Sequence, residues 1–266
     1  MKGKLSVLVL AAGVGLAGFS AQAGTIGYCV VAGGSSCQFS SWAANTITAT
    51  GNTPVALTGL AAGDLTGLSV LWILNGNNGN PGTIVTDNTA AIAAFVAGGG
   101  VLSFHDRNVD QGISAATYIP GAGSVSFTNS FSTNIDIVTP GTGVTNGPFG
   151  TITDTTLDGG NFSDHGYADL ASLPAGAVPI FSNGNGAQIV DFYYRLGSGA
   201  VYYSTIPLDF YLAGGGNNPP AGAMVNIYAP NEVAFEAGLG SPEPGTMLLL
   251  GGSLLALGGL LRRTRK

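Results

Sequence analysis

The segment TDNTAAIAAFVAGGGVLSFHD, residues 86–106, contains the clearest helix and strand signals of the chain. Its apolar residues recur at the i, i+3, i+4 spacing of an amphipathic helix, and they are Ile92, Phe95 and Val96. Thr86 or Asp87 can cap this helix at its amino end. Three consecutive glycines end the helix, and Val101–Phe104 then predict a strand.

A second strand precedes that helix. Leu68–Leu74 is a continuous apolar run, which is typical of a strand buried on both faces of a parallel sheet. Strand, helix, glycine turn and strand together predict a βαβ unit. Ile26–Val31 predicts another strand, and Ile189–Leu196 with Ala200–Ser204 predicts a hairpin.

These elements predict an α/β fold with a mostly parallel, flavodoxin-like sheet and added β hairpins. The region AFVAGGGVLSFHD, residues 94–106, resembles the helix–glycine–strand step of class I glutamine amidotransferase-like domains, including trehalose-utilisation-like members. The resemblance covers roughly Thr25–Leu212. An all-β sandwich is the alternative, because the chain is rich in Thr, Gly and Asn and has many short strands.

The sequence departs from this family at the position that amidotransferase chemistry requires. An amidotransferase of this superfamily needs a cysteine nucleophile activated by a histidine. At the matching place this sequence has other residues, namely Ser103, His105 and Asp106. A similar fold does not by itself restore amidotransferase activity. We also expect no cofactor.

Charge in the central region is strongly one-sided. The chain has 266 residues and only 8% of them are charged. Between Gly24 and Ser241 only Arg107 and Arg195 are cationic, against thirteen carboxylates. Such a surface repels nucleic acid and anionic lipid, so we expect no nucleic-acid partner.

The amino terminus predicts export. Residues 1–23 carry two lysines, an apolar stretch and a small-x-small site ending at Ala23, which is the pattern of a secretory signal peptide. An uncleaved anchor is the alternative. Cys29 and Cys37 are the only cysteines, and an even count in an exported chain favours a disulfide over two free thiols. Residues 24–240 then form the exported globular domain.

The carboxyl terminus, residues 241–266, predicts sorting. Pro242, Glu243 and Pro244 precede an uncharged segment, 245–261, that is long enough for a short transmembrane helix. Three arginines follow that segment: Arg262, Arg263 and Arg265. They should remain cytoplasmic.

This order resembles the PEP-CTERM sorting signal. The resemblance implies an exosortase-type sorting enzyme as partner, an inner-membrane intermediate, and release to the cell surface or extracellular matrix of a Gram-negative bacterium, where exopolysaccharide is a candidate partner. A plain carboxyl-terminal membrane anchor with a proline linker is the alternative.

Few residues of the central region can carry chemistry. His105 and Asp106, followed by Arg107, end a predicted strand, and open α/β sheets bind ligands at that edge. His165 lies in FSDHGYAD, residues 162–169, between acidic residues. If both histidines meet in one cleft, they could bind a cation or perform acid–base catalysis. Structural hydrogen bonds are the simpler interpretation, and the sequence leaves a metal site open.

Three functions follow. The first is a non-catalytic surface or matrix protein, and the second is an exported hydrolase or sugar-modifying enzyme that uses the two histidines. The third is a carbohydrate-binding module, which requires exposed aromatic rings along a groove. The candidates for those rings are Trp42, Tyr193, Tyr202 and Tyr203.

Overall fold

The structure is a computed structural model, and it describes residues 23–160, 162–216 and 220–240. The predicted signal peptide up to residue 22, the sorting motif and the predicted transmembrane helix 245–261 lie outside these residues. Within the described ranges, no helix has both the length and the apolar character needed to cross a membrane.

Helices and strands alternate through the first half of the chain, and strands dominate the middle. The strands are β1 (Thr25–Val31), β2 (Thr53–Ala56), β3 (Val70–Asn75), β4 (Val101–Asp106), β5 (Phe127–Ser132), β6 (Asp136–Ile137), β7 (Asn146–Gly147), β8 (Gly150–Thr151), β9 (Asp164–Asp169), β10 (Val178–Ser182), β11 (Gln188–Leu196) and β12 (Gly199–Ser204). The helices are α1 (Ser41–Ala49), α2 (Thr83–Thr86), α3 (Thr89–Ala97), α4 (Leu208–Leu212), α5 (Pro220–Ala223) and α6 (Ala229–Leu239). A π-helical turn, Met224–Tyr228, joins α5 to α6.

The main sheet confirms the α/β prediction and excludes the all-β sandwich. Its strand order is β2-β1-β3-β4-β12-β11-β10-β6, with β9 on β11 and β5 on β9. The first five strands of that order are mutually parallel, and the others pair antiparallel. The order 2-1-3-4 followed by one more parallel strand is the flavodoxin-like arrangement.

The predicted βαβ unit is β3–α3–β4, in which Val70 pairs with Val101 in a parallel register. The predicted cap of its helix is wrong. Thr86 belongs to a short extra helix, α2. The N-cap residue of α3 is Asn88, whose side chain forms no capping hydrogen bond. Among the three glycines, Gly99 adopts a φ of 112° that other residues disfavour. A Cβ on Gly100 would collide with the ring of Phe95.

The core lies on both faces of the sheet. All six residues of β3 are buried, as the continuous apolar run predicts. Leu71 and Ile73 pack on the side of α3, whereas Trp72 and Leu74 pack on the side of α1 and α6. The alternation is the period of two of a β-strand.

Two further predictions are confirmed. β11 and β12 form the antiparallel hairpin, with Tyr193 opposite Tyr202, and β12 then pairs parallel to β4. Cys29 and Cys37 form a disulfide that links β1 to the loop after it.

Candidate functional site

The end of β4 places His105 and Asp106 on opposite faces of the sheet. Successive side chains of a strand alternate between the two faces. His105 therefore points toward α6, and Asp106 points toward the core on the side of α3. The two adjacent residues cannot act as one His–Asp pair.

His105 is enclosed on the α6 side. It is 1% exposed, and its Nε2 lies 2.6 Å from Oε1 of Glu232 on α6. Its Nδ1 lies 3.3 Å from the carbonyl oxygen of Ile206, which only accepts, so Nδ1 carries the proton. The hydroxyl of Ser103 donates to the same Glu232 oxygen at 3.0 Å. This geometry makes His105 a structural residue without access to solvent.

Three carboxyl groups surround this histidine, and we call Asp191, Glu232 and Glu236 the acid cluster. All three are fully buried. Burial raises the pKa of Glu232 to about 8, and burial together with the neighbouring Glu232 raises the pKa of Glu236 well above its usual value. Burial also lowers the pKa of His105. Burial therefore favours the neutral, protonated forms of these carboxyl groups over the charged forms.

Asp191 is bound by hydroxyl groups. Tyr202 donates to its Oδ2 at 2.7 Å, and Tyr228 donates to the same oxygen at 2.8 Å. Burial nevertheless raises the pKa of Asp191 above its usual value.

Asp106 is a second buried carboxyl, and it is saturated by donors. Its Oδ1 accepts from Asn75 at 3.1 Å and from the backbone N–H of Asn108 at 2.9 Å. Its Oδ2 accepts from the hydroxyls of Tyr118 at 2.6 Å and Tyr203 at 2.9 Å. Four bonds leave it no capacity for a ligand, so Asp106 fixes the end of β4.

A cavity opens at the carboxyl edge of the sheet, and we call it the edge cavity. Its volume is about 270 Å³. Three neighbouring parallel strands each supply one lining residue just past their ends, namely Asn78, Arg107 and Pro207. The remaining lining residues are Phe131, Phe162, His165 and Phe210. This is the position at which open α/β sheets bind ligands.

His165 is the buried polar group of the edge cavity. It is 4% exposed, and its Nδ1 lies 3.2 Å from the carbonyl oxygen of Arg107, which fixes the proton on Nδ1. Burial and the Arg107 charge lower the pKa of His165 to about 4. Among the described residues, the ring makes its one hydrogen bond through Nδ1, and Nε2 makes none. The ring therefore offers an unprotonated acceptor to the cavity at neutral pH.

Arg107 is the cation of the edge cavity. Its Nη1 donates to Oδ2 of Asp209 at 3.0 Å, and its guanidinium carbon lies 5.7 Å from the centre of the Phe210 ring. In the part of the chain that the structure describes, its Nη2 donates to no protein group. Arg107 can thus give a hydrogen bond to a ligand while its charge is compensated by Asp209.

Two phenylalanines form the exposed wall of the cavity. Phe131 and Phe162 are 47% and 49% exposed, and their ring centres lie 4.8 Å apart. The His165 ring meets the Phe131 ring edge-on at 4.9 Å. Large exposed apolar side chains in a cluster mark a binding surface more often than single ones do.

The candidates predicted from sequence do not share one cleft. His165 and Arg107 line the edge cavity, whereas His105 and Asp106 are buried elsewhere. Within the described ranges, no group of three or more metal-ligating side chains could hold a metal ion.

The predicted aromatic groove is not formed by the residues proposed for it. Tyr202 and Tyr203 are fully buried, because β12 lies inside the sheet between β4 and β11. Trp42 and Tyr193 are half-buried and pack against the core on the α6 side.

Sequence reasoning missed Phe131, Phe162 and Glu232. The two phenylalanines come from segments about thirty residues apart, and nothing local pairs them. The sequence does contain a pattern that indicates a buried Glu232. One face of the helix follows the i, i+3, i+4, i+7 spacing of buried positions, and its residues are Ala229, Glu232, Val233 and Glu236. Two glutamates on that face indicate a buried polar contact.

Another cavity, of about 390 Å³, lies between the start of α3 and residues 116–123. Its lining consists of small, apolar and hydroxyl residues, and the hydroxyl of Tyr118 is already bonded to Asp106. It offers no charged group, so the edge cavity is the better candidate site.

Comparisons with known proteins show the fold and no family. No protein-family model matches the chain, and no curated protein matches it in sequence. A cytoplasmic protein from Salmonella typhimurium has a similar structure, with a TM-score of 0.50 at 10% identity, over 80% of this chain and 98% of that one. That likeness supports the α/β fold alone.

Two enzymes match this chain at lower structural similarity. A β-galactosidase from the Antarctic haloarchaeon Halorubrum lacusprofundi matches with a TM-score of 0.45 at 12% identity, over 81% of this chain and 30% of that one. An exo-β-1,4-mannosidase from Opitutaceae bacterium strain TAV5 matches with a TM-score of 0.44 at 12% identity, over 80% of this chain and 36% of that one. This chain spans about a third of the length of these two enzymes.

Proposed function

We propose that this chain is an exported, non-catalytic protein of the cell surface or extracellular matrix of a Gram-negative bacterium. A signal peptide, residues 1–23, starts its export, and the tail, residues 241–266, directs its sorting. The order of Pro242–Pro244, the apolar segment 245–261 and the terminal arginines supports the sorting step. The Cys29–Cys37 disulfide is compatible with an oxidising compartment.

One observation supports the non-catalytic part of the proposal. The chain has two histidines, and they lie in different environments. His105 is enclosed with Glu232, and His165 faces the edge cavity with its pKa lowered to about 4. A catalytic base works best with a pKa near the working pH. Among the described residues, the lining of the edge cavity has no serine, threonine or cysteine nucleophile for His165 to activate.

Three partners follow from this function. The inner membrane holds the apolar segment 245–261 until an exosortase-type enzyme cuts the tail near Pro244. Exopolysaccharide is the matrix component that the released domain meets. The two prolines deny backbone donors and keep the cleavage segment extended, which suits recognition by a protease-like enzyme.

Export of a tail variant tests this function. Changing both Pro242 and Pro244 to alanine should leave the protein in the inner membrane, because the extended recognition segment is lost. Ser241→Ala, which leaves the motif intact, is the matched control and should be released like the parent. Immunoblots of inner membrane, surface and medium fractions measure the outcome. Equal release of the double variant and the parent would overturn the proposed sorting.

A further inference from the structure

The edge cavity combines three features that no single structural role requires. It has an acceptor, Nε2 of the buried His165, that is unpartnered among the described residues. It has a donor, Nη2 of Arg107, in the lining of the same cavity. Between solvent and these groups stand the exposed rings of Phe131 and Phe162.

A ligand of this cavity must match that arrangement. It needs an apolar face to cover the phenylalanine rings, since removing their exposed area from water is favourable. It needs a hydroxyl to donate to His165, whose Nε2 carries no proton, and an oxygen to accept from Arg107. A pyranose ring has both: one face of C–H groups and hydroxyls around its rim. The volume of about 270 Å³ lies just under the roughly 300 Å³ where drug-sized pockets begin, which suits a single ring.

The charges around the cavity favour a neutral sugar over an anionic one. Arg107 is paired with Asp209 at 3.0 Å, so its charge does not attract an anion strongly. Of the thirteen carboxyl groups in the domain, seven lie outside the core, against two cations. Such a field repels a uronate or a sulfated sugar.

We propose that the edge cavity binds one neutral sugar residue of a polysaccharide, with the sugar's C–H face on Phe131 and Phe162. A hydroxyl of the sugar donates to Nε2 of His165, and another sugar oxygen accepts from Nη2 of Arg107. The proposal deepens the function proposed above and rests on it for the source of the sugar, the extracellular matrix.

Binding of monosaccharides to the purified full chain tests the site directly. D-Galactose, D-glucose and D-mannose are titrated by calorimetry and by NMR, and D-galacturonate is the charged counterpart of galactose. At least one neutral hexose should bind with a Kd on the order of 1 mM, because one small ring makes few contacts. Galacturonate should bind at least fivefold more weakly, and added salt should reduce that difference.

Variants of the exposed rings locate the site without risking the fold. Phe131→Ala and Phe162→Ala should each weaken hexose binding at least fivefold. Phe39→Ala removes a ring that is 73% exposed and lies outside the cavity, so it is the matched control and should bind like the parent. Arg107→Lys keeps a charge opposite Asp209 but loses the second donor of the guanidinium, and it should also weaken binding.

Three results would overturn the proposal. These are no saturable binding of any neutral hexose up to about 100 mM, tighter binding of galacturonate than of galactose, or equal weakening by Phe39→Ala and Phe131→Ala. The measurement uses purified protein, so its failure leaves the export of the chain untouched. Failure of export in cells likewise leaves the measured affinity as it is.

Discussion

Glu232 Oε1 lies 2.6 Å from His105 Nε2, and both side chains are buried in the α6 side of the sheet. Because Nδ1 of His105 donates to the carbonyl of Ile206, Nε2 can only accept. Glu232 must therefore donate, which requires its protonated form. The raised pKa of Glu232 and the lowered pKa of His105 have the same cause, which is burial.

Glu232→Gln should not lower stability at pH 6, because glutamine does not have to take up the proton that folded Glu232 holds. Glutamine copies the shape of the protonated acid, and its amide nitrogen can donate to Nε2 of His105. We expect the free energy of unfolding to stay the same or to rise, measured by urea denaturation. Glu232→Leu leaves His105 and Ser103 without their partner and should cost about 1–3 kcal/mol. If Glu232→Gln costs about 3–5 kcal/mol, the contact is a buried ion pair instead.

Stability should fall as the pH rises from 6.5 to 8. The pKa of Glu232 is about 8 in the folded chain and has its ordinary value of 4.5 when the chain unfolds, so between these values the folded state holds a proton that the unfolded state has released. Asp164, with its pKa raised to about 7, acts in the same direction. His165 opposes them only below pH 6.5, because its pKa is lowered from 6.5 to about 4.

Glu232 alone should therefore remove on the order of 2 kcal/mol between pH 6.5 and 8. Urea denaturation across this range measures the slope, and Glu232→Gln should flatten it. A protein whose stability is constant or rises over the same range would refute the protonated cluster.

Removing the disulfide should lower stability without changing the fold. Replacing both Cys29 and Cys37 by serine opens a short loop, and the chain-entropy relation gives a loss of roughly 2–3 kcal/mol. Thermal unfolding of this double variant, followed by circular dichroism, should show a lower Tm and an unchanged native spectrum. A reductant should lower the Tm of the parent and leave that of the variant unchanged.

The approach of α3 to β12 depends on glycine. A Cβ on Gly199 would meet the carbonyl oxygens of Gly100 and Val96, which are backbone atoms that cannot turn away. Gly199→Ala should therefore cost about 1–3 kcal/mol in the free energy of unfolding. Gly123→Ala is the control, because its Cβ meets nothing within 4 Å, and it should change stability by less than about 0.5 kcal/mol. Equal effects of the two substitutions would contradict the close packing.

The parts of the fold that the sequence predicts are those with a local signal. β3, α3 and β4 are marked by an apolar run, a helical period and three glycines, and the hairpin of β11 and β12 is marked by its turn. The added antiparallel strands β9 and β10 depend on pairing between distant segments, and that pairing leaves no local pattern. The predicted cap of α3 is wrong because the short helix α2 occupies the residues that were expected to cap α3.

The site is less predictable than the fold. The sequence predicts a site at the edge of the parallel strands, and Arg107 and His165 lie there together. The sequence does not predict the buried position of His105, because its partner Glu232 is 127 residues away. Six of the thirteen carboxyl groups between Gly24 and Ser241 are buried, and burial raises the pKa of each of them. Only the folded packing shows which six they are.

The intact mass of the protein recovered from the cell surface and the culture medium shows whether both terminal segments are removed. We expect a chain that begins at Gly24 and ends near Pro244, and we expect a host without its sorting enzyme to keep the tail. A surface or medium form that still ends at Lys266 in the normal host would show that sorting does not cleave the tail.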